Sequence, residues 1–240
     1  MDSKTQRFNI VGPCSMESRD QIEAVFKVAQ TIGVSYVRAQ VFKPRTNPNS
    51  FQGMADEGIT ILKDLASKYP DLKYVCEVCS NEHFDKLVDV ASVIQIGARN
   101  MQNFELLKYV AANFKNDFVL LKRGFSNTQK EWLSSAEYLI SGGIPKDKII
   151  LCERGSRSFT SPTGVSLDFI NALMAKEAGF KVIIDSSHGT KEARFVLPLA
   201  KAAIAMDFDG VMIEAHPNPA ESVSDRDQAI SLEALSEFFK

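Results

Sequence analysis

Histidine occurs three times in this chain of 240 residues, tryptophan once and cysteine four times, and no apolar run reaches the ~18 residues that span a bilayer. The last absence leaves no candidate membrane helix. The polar start MDSKTQRF carries none of the charged-then-apolar pattern of a secretory signal. Cysteines at 14, 76, 79 and 152 are too few and too irregular for a disulfide framework, so reduced thiols in the cytoplasm are the expectation. An excess of either charge is also missing. The 28 Lys and Arg against 30 Asp and Glu leave a formal net charge of −2, which argues against a nucleic-acid binder or an acidic tail. Linkers rich in Pro, Gly or Ser, low-complexity tracts and internal repeats are absent as well. Residues 1–240 are therefore expected to form one domain, without a membrane or nucleic-acid partner.

Apolar residues make up 45% of the chain, enough for a full core at a length close to the ~250 residues of an eightfold barrel. Short β-rich runs recur at roughly thirty-residue spacing, each followed by helical periodicity, which is the pattern of parallel βα units. Eight strands are predicted, at 8–11, 36–41, 73–78, 93–96, 118–121, 148–151, 181–184 and 210–213. Nearly all are too apolar for a one-sided sheet, so both faces must be covered. Segments 19–32, 103–113, 130–139 and 191–205 place apolar residues at i, i+3, i+4 and i+7 and read as outer helices. The predicted fold class is α/β, a (β/α)8 TIM barrel, with a doubly wound open sheet as the weaker alternative.

In such a barrel the chemistry gathers where strands end and βα loops begin. Those positions are polar in all eight units. Cys14, His188 and Glu214 follow strands one, seven and eight, which are neighbours around the ring, and Asp225 lies in the loop after strand eight. A thiolate, an imidazole and carboxylates suit one divalent transition ion (Mn, Fe, Co or Zn) better than Mg or Ca. His216 reads equally as a second layer to that cluster or as a hydrogen-bonded loop histidine, and His83 as structural. Cys76-x-x-Cys79 lies along a strand end with no second pair to complete a zinc site, so redox or zinc function is not expected there. Glu77, between those thiols, is the carboxylate placed to act on water, or else a salt-bridge partner for a cation.

Positive charge collects at the same end: Arg38, Lys43, Arg45, Arg99, Lys122, Arg123, Arg154 and Arg157. Some of these are expected to pair with Glu77, Glu153 or Asp185. As a set they outnumber the acids, and crowding like charges is costly without an anionic ligand. A small substrate with several negative charges fits the mouth.

The ordered motifs Gly12-Pro13-Cys14-Ser15, Lys43-Pro44-Arg45-Thr46, Gln95-Ile96-Gly97-Ala98-Arg99-Asn100, Leu121-Lys122-Arg123-Gly124, Cys152-Glu153-Arg154-Gly155, Ser187-His188-Gly189 and Glu214-Ala215-His216-Pro217 carry a resemblance. From about residue 8 to residue 235 the chain resembles 3-deoxy-D-arabino-heptulosonate 7-phosphate (DAHP) synthases of the compact type Iβ kind. The resemblance implies metal ligands at Cys14, His188, Glu214 and Asp225. It implies phosphoenolpyruvate contacts at Arg38, Lys43, Arg99, Lys122 and Arg154, and erythrose 4-phosphate contacts at Arg45 and Thr46. It further implies a condensation in which the metal polarises the aldehyde and the methylene carbon of phosphoenolpyruvate attacks it. Water then adds to the resulting cationic carbon. Glu77 or a metal-bound species activates that water, Lys122 is the proton donor, and the arginines stabilise departing phosphate. The same resemblance implies a homo-oligomer, dimer or tetramer, and a place at the start of the shikimate pathway.

Two stretches depart from the family pattern. Residues 156–168 lack the Arg-Asn pair expected before Leu167-Asp168, and Ser186 stands where Pro is usual. With the first strand near residue 8 and the last helix at the C-terminus, no regulatory domain is expected. The nearest alternative activity is the sister condensation with arabinose 5-phosphate, whose enzymes carry Lys-Ala-Asn-Arg in place of Lys43-Pro44-Arg45-Thr46. The alternative from another class is a catalytically silent barrel that binds sugar phosphates, against which Cys14, His188, Glu214, Lys43 and Lys122 argue.

Overall fold

The structure, a computed structural model, describes residues 7–240. The first half of the chain alternates β1 (Ile10–Gly12), α1 (Arg19–Thr31), β2 (Tyr36–Arg38), α2 (Ala55–Lys68), β3 (Lys73–Val78), α3 (Asn81–Leu87), β4 (Val93–Ile96) and α4 (Phe104–Ala112). The second continues with β5 (Phe118–Lys122), α5 (Gln129–Ser141), β6 (Ile149–Glu153), a hairpin of β7 (Ser156–Arg157) and β8 (Val165–Ser166), and α6 (Phe169–Glu177). It closes with β9 (Lys181–Asp185), α7 (Ser186–Thr190), α8 (Ala193–Ala205), β10 (Gly210–His216), β11 (Ile230–Ser231) and α9 (Leu232–Phe238). Strands run in the order β1-β2-β3-β4-β5-β6-β9-β10, all parallel, and β10 pairs back onto β1. The sheet is therefore a closed (β/α)8 TIM barrel. Among the described residues no helix is long and apolar enough to cross a membrane.

Helices start where short polar side chains satisfy their free N–H groups. Ser18 caps α1, Asn103 caps α4, Asp168 caps α6, and Thr128 with Glu131 forms a reciprocal capping box on α5. The predicted helices at 19–32 and 103–113 hold to within a residue, and 130–139 is the middle of α5. The predicted 191–205 starts late: Lys191 adopts a left-handed conformation that ends the short α7, and α8 begins at Ala193.

Strand residues alternate between the helix side and the barrel interior, with period two. Val11, Cys76, Ile94, Val119, Leu121, Ile184 and Ile213 join the large outer core under the helices. Ile10, Val75, Val93, Leu120, Ile150, Cys152, Ile183 and Met212 form a separate core inside the barrel. Toward the C-terminal ends of the strands the interior turns polar. Arg38, Glu77, Gln95, Lys122, Asp185 and Glu214 are all buried there. An apolar plug thus supports a polar layer at the strands' C-terminal end.

Two boundaries bear on function. The predicted strand at 36–41 pairs only to Arg38, after which the chain bends toward Lys43. The strand predicted at 210–213 runs on to His216, where β11 joins it.

Candidate active site

The cluster at the β1–β10 seam is built from four distant stretches of chain. Gly12 ends β1 at φ 137°, a conformation open to glycine, and a Cβ there would press on the Arg38 backbone at 3.1 Å. That turn delivers Cys14. His188 sits on α7, held by Asp185, whose carboxylate accepts both the His188 backbone N–H (3.0 Å) and the ring Nδ1–H (2.8 Å). Glu214 projects inward from β10. Asp225 stands at φ 49°, a left-handed position that Asp tolerates better than most residues. One ligand atom from each of the four lies within 4.8 Å of the other three.

In this arrangement the Cys14 thiol donates to Asp225 Oδ2 (2.7 Å), and Lys43 Nζ donates to Cys14 Sγ (2.6 Å). Arg38 Nη2 lies 2.9 Å from Glu214 Oε1, and Gln228 Nε2 donates to Glu214 Oε2 at 2.6 Å. Glu214 Oε1, fully buried, nonetheless accepts no hydrogen bond of proper geometry among the described residues. His188 Nε2 faces that same oxygen at 3.5 Å. A buried carboxylate oxygen without a well-formed hydrogen bond, a thiol and an imidazole nitrogen drawn together, with the other ring nitrogen held by Asp185, fit a borderline divalent ion.

Charge states follow from burial against these partners. Burial, with the Glu214 carboxylate next, pushes the Cys14 thiol far above its usual range. Burial opposes ionisation of Asp225 and Glu214, but Lys43 and His188 for the first, and His188 and Arg38 for the second, bring both below the usual carboxylate range. Burial also lowers His188 and favours the neutral imidazole that a metal needs. A thiol so raised stays protonated on its own, and a cation held by it would supply the charge that favours the thiolate.

Next to this cluster opens a cavity of about 730 Å³ bounded by Lys43, Arg45, Thr46, Arg154, Arg157 and Lys191. Beneath it lies an inner chamber of about 40 Å³ faced by Arg38, Lys43, Glu77, Arg99, Lys122 and Arg154. Glu77 accepts from Gln95 Nε2 (2.9 Å) and forms no ion pair among the described residues. Gly97 lets that carboxylate in, since a Cβ there would strike Glu77 Oε1. Lys122 Nζ rests 2.7 Å from Asp185 Oδ2, so one buried carboxylate oxygen serves both Lys122 and His188. Thr46 Oγ accepts from Arg99 Nη2 at 3.2 Å.

Each residue singled out from sequence as ligand, binder or acid–base group thus lies at this one end of the barrel. Arg123, counted among the mouth cations, does not join them: it pairs with Glu153 (2.9 Å) and Asp168 (3.3 Å) beneath the hairpin. Arg38 is more deeply buried than a simple substrate contact requires, and it also donates to the Pro13 and Cys14 carbonyls. His216 bonds Glu17 (3.3 Å), which also holds Ser222 and Val223, so it steadies the loop carrying Asp225 without touching the cluster. His83 stacks on Phe42 away from the cluster, with ring centroids 3.6 Å apart. Burial pushes Cys76 and Cys79 up to about 12, so both stay protonated thiols. Asp185 was named from sequence only as a carboxylate to pair with the mouth cations, as it does with Lys122, and Gln228 was not singled out at all. The signal for Asp185 was its place two residues beyond the inward Ile183; Gln228 carried none.

Comparisons with known proteins give the chain's family. The chain is 41% identical over 229 residues to phospho-2-dehydro-3-deoxyheptonate aldolase of Thermotoga maritima, covering 95% of this chain and 66% of that protein. It spans just under two thirds of that relative's length. It superposes on the crystal structure of the Thermotoga maritima protein, DAHP synthase, with a TM-score of 0.90 at 37% identity, covering all of this chain and 71% of that one. It is 27% identical over 250 residues to 2-dehydro-3-deoxyphosphooctonate aldolase of Bordetella petrii, covering 95% of this chain and 86% of that one. The profile of the DAHP synthetase I family matches residues 3–240, and the chain belongs to that family.

Proposed function

We propose that this chain condenses phosphoenolpyruvate with erythrose 4-phosphate to give DAHP and inorganic phosphate, the first step of the shikimate pathway, and that it needs one divalent transition ion to do so. The observation that carries this reading is the juxtaposition of a four-donor cluster with a cation-lined chamber that also holds a carboxylate, Glu77, free of ion pairs among the described residues. The names borne by the Thermotoga maritima relative, phospho-2-dehydro-3-deoxyheptonate aldolase and DAHP synthase, support the substrates.

Cys14, His188, Glu214 and Asp225 would hold the ion, which, when bound, polarises the aldehyde of the sugar phosphate. Lys43, Arg99 and Arg154 grip the phosphate and carboxylate of phosphoenolpyruvate and aim its methylene carbon at that aldehyde. Arg38, anchored on Glu214, ties the anion chamber to the cluster. Arg45 and Thr46, at the rim of the larger cavity, take the phosphate of the aldose. Glu77 accepts the proton of the water that adds to the carbon left electron-poor. Lys122, oriented by Asp185, supplies a proton and, with the arginines, offsets the charge of departing phosphate. We assign this chemistry to a single catalytic domain, residues 1–240, acting in the cytoplasm as a dimer or tetramer on small anions, with no nucleic acid or membrane involved.

The test is phosphate release from phosphoenolpyruvate with erythrose 4-phosphate or arabinose 5-phosphate, with and without chelator. Release with erythrose 4-phosphate that chelator abolishes is expected. Faster turnover of arabinose 5-phosphate would transfer the chain to the sister reaction, and no release with either would leave a silent barrel.

A further inference from the structure

Phe125, in the loop after β5, has no role in the reading above, yet both the outer cavity and the inner chamber are lined by it. The guanidinium carbons of Arg154, Arg99 and Arg157 lie 4.9, 5.2 and 5.6 Å from the centroid of its ring. Arg38 and Arg123 are each answered by a carboxylate, but among the described residues Arg99, Arg154 and Arg157 form no ion pair. Three cations thus share one aromatic ring as their common electrostatic partner. The ring's quadrupole attracts each of them without neutralising it, whereas a carboxylate here would repel an anionic substrate. The backbone strengthens the link, because the Arg157 N–H donates to the Phe125 carbonyl at 2.7 Å. That bond docks the β7–β8 hairpin, the stretch that departs from the family pattern, against the mouth.

We infer that Phe125 is a positioning residue: its ring is the platform that holds Arg99, Arg154 and Arg157 apart and aimed, so that a phosphorylated anion meets a preformed cluster of guanidiniums. Without the ring, the exposed Arg99 and Arg157 swing away on flexible stems from the buried Arg154, and the anion must gather them again at its own expense. The inference rests on the mouth being an anion site for phosphoenolpyruvate, but not on which aldose is condensed.

Titration of phosphoenolpyruvate into the Mn-loaded protein, read by calorimetry, tests it alongside steady-state kinetics. Phe125→Leu is expected to weaken binding by about fivefold and to raise KM in step, with kcat within about twofold of the parent. Phe125→Tyr, which restores the ring, is expected to bind like the parent. Should Phe125→Leu fail to melt cooperatively, Phe125→Met, close in volume and without a ring face, decides by the same readings. Arg157→Gln is expected to weaken binding in the parent and to do so less in the Phe125→Leu background. Equal affinity of parent and Leu or Met variants, or a loss confined to kcat, overturns the platform and leaves the proposed function standing. Absence of binding by the parent overturns both.

Discussion

At the residue scale the site turns on buried charges that lean on one another. Lys122 and His188 share Asp185 Oδ2, so acid–base group and proposed ligand are oriented by the same atom. Lys122→Met is expected to lower kcat by several orders of magnitude while circular dichroism stays native, since it removes a charge needed most as phosphate leaves. A change confined to KM would make Lys122 a uniform-binding residue. Cys14→Ser is expected to weaken Mn or Zn binding in a direct metal titration and to remove most activity, because a hydroxyl is a poor exchange for thiolate on a borderline ion. Unaltered metal affinity would remove Cys14 from the ligand set. The residue types needed for this chemistry were legible in order along the chain, as was the end of each strand where they sit. Which cation meets which carboxylate was not legible. Arg123 and Arg154 follow neighbouring strands with the same local sequence signal, and only packing sends one to Glu153 and the other to the mouth.

At the element scale the loop after β2 is a braced clamp. Its ends are closed by bonds from Lys43 N–H to the Gln52 carbonyl (2.8 Å) and from Ala55 N–H to the Val41 carbonyl (3.0 Å). Pro44 stiffens the backbone between them, so Arg45 and Thr46 sit at a set distance from the cluster. A clamp of fixed reach discriminates length. Erythrose 4-phosphate is expected to be preferred over arabinose 5-phosphate by at least about tenfold in kcat/KM, or ~1.4 kcal/mol of transition-state binding. Replacing Pro44-Arg45-Thr46 by Ala-Asn-Arg should erode that preference and leave metal affinity unchanged. Equal use of both aldoses by the unmodified protein would shift the discrimination to the 156–168 segment. Asp168 ties that segment down from its far end, capping α6 through the Asn171 N–H (3.0 Å) and reaching Arg123. Its partial burial opposes ionisation, yet the Asn171 N–H and Arg123 hold it below its ordinary value of 3.8. A depressed carboxylate contributes stability above its unfolded value and loses it as pH falls through the folded one. Asp168→Ala is accordingly expected to cost about 1 kcal/mol near neutral pH, and the gap to the parent should shrink below about pH 4. A gap independent of pH would leave only the cap and no charge effect.

At the scale of the whole molecule, the proposed ligands sit where the chain's beginning meets its end. Cys14 follows β1, Glu214 lies on β10, and the pairing of these two strands closes the barrel. A metal held there would staple the seam and stabilise the folded state by mass action. Saturating Mn or Zn is expected to raise Tm by about 5–10 °C over chelator-treated protein, and Cys14→Ser should lose most of that rise. An unchanged Tm with metal demonstrably bound would place the ion away from the seam. The eightfold βα rhythm, the polar strand ends and the kinds of ligand available are local properties, set by period-two and period-3.6 patterns within a few residues of each other. They were determined by the sequence alone. Barrel closure decided the rest. It carried Asp225 across 211 positions to Cys14, turned Glu214 Oε1 toward both Arg38 and His188, and gathered three arginines on Phe125. Contacts of that range depend on register and on the angle at which loops leave the sheet, and no local pattern encodes either.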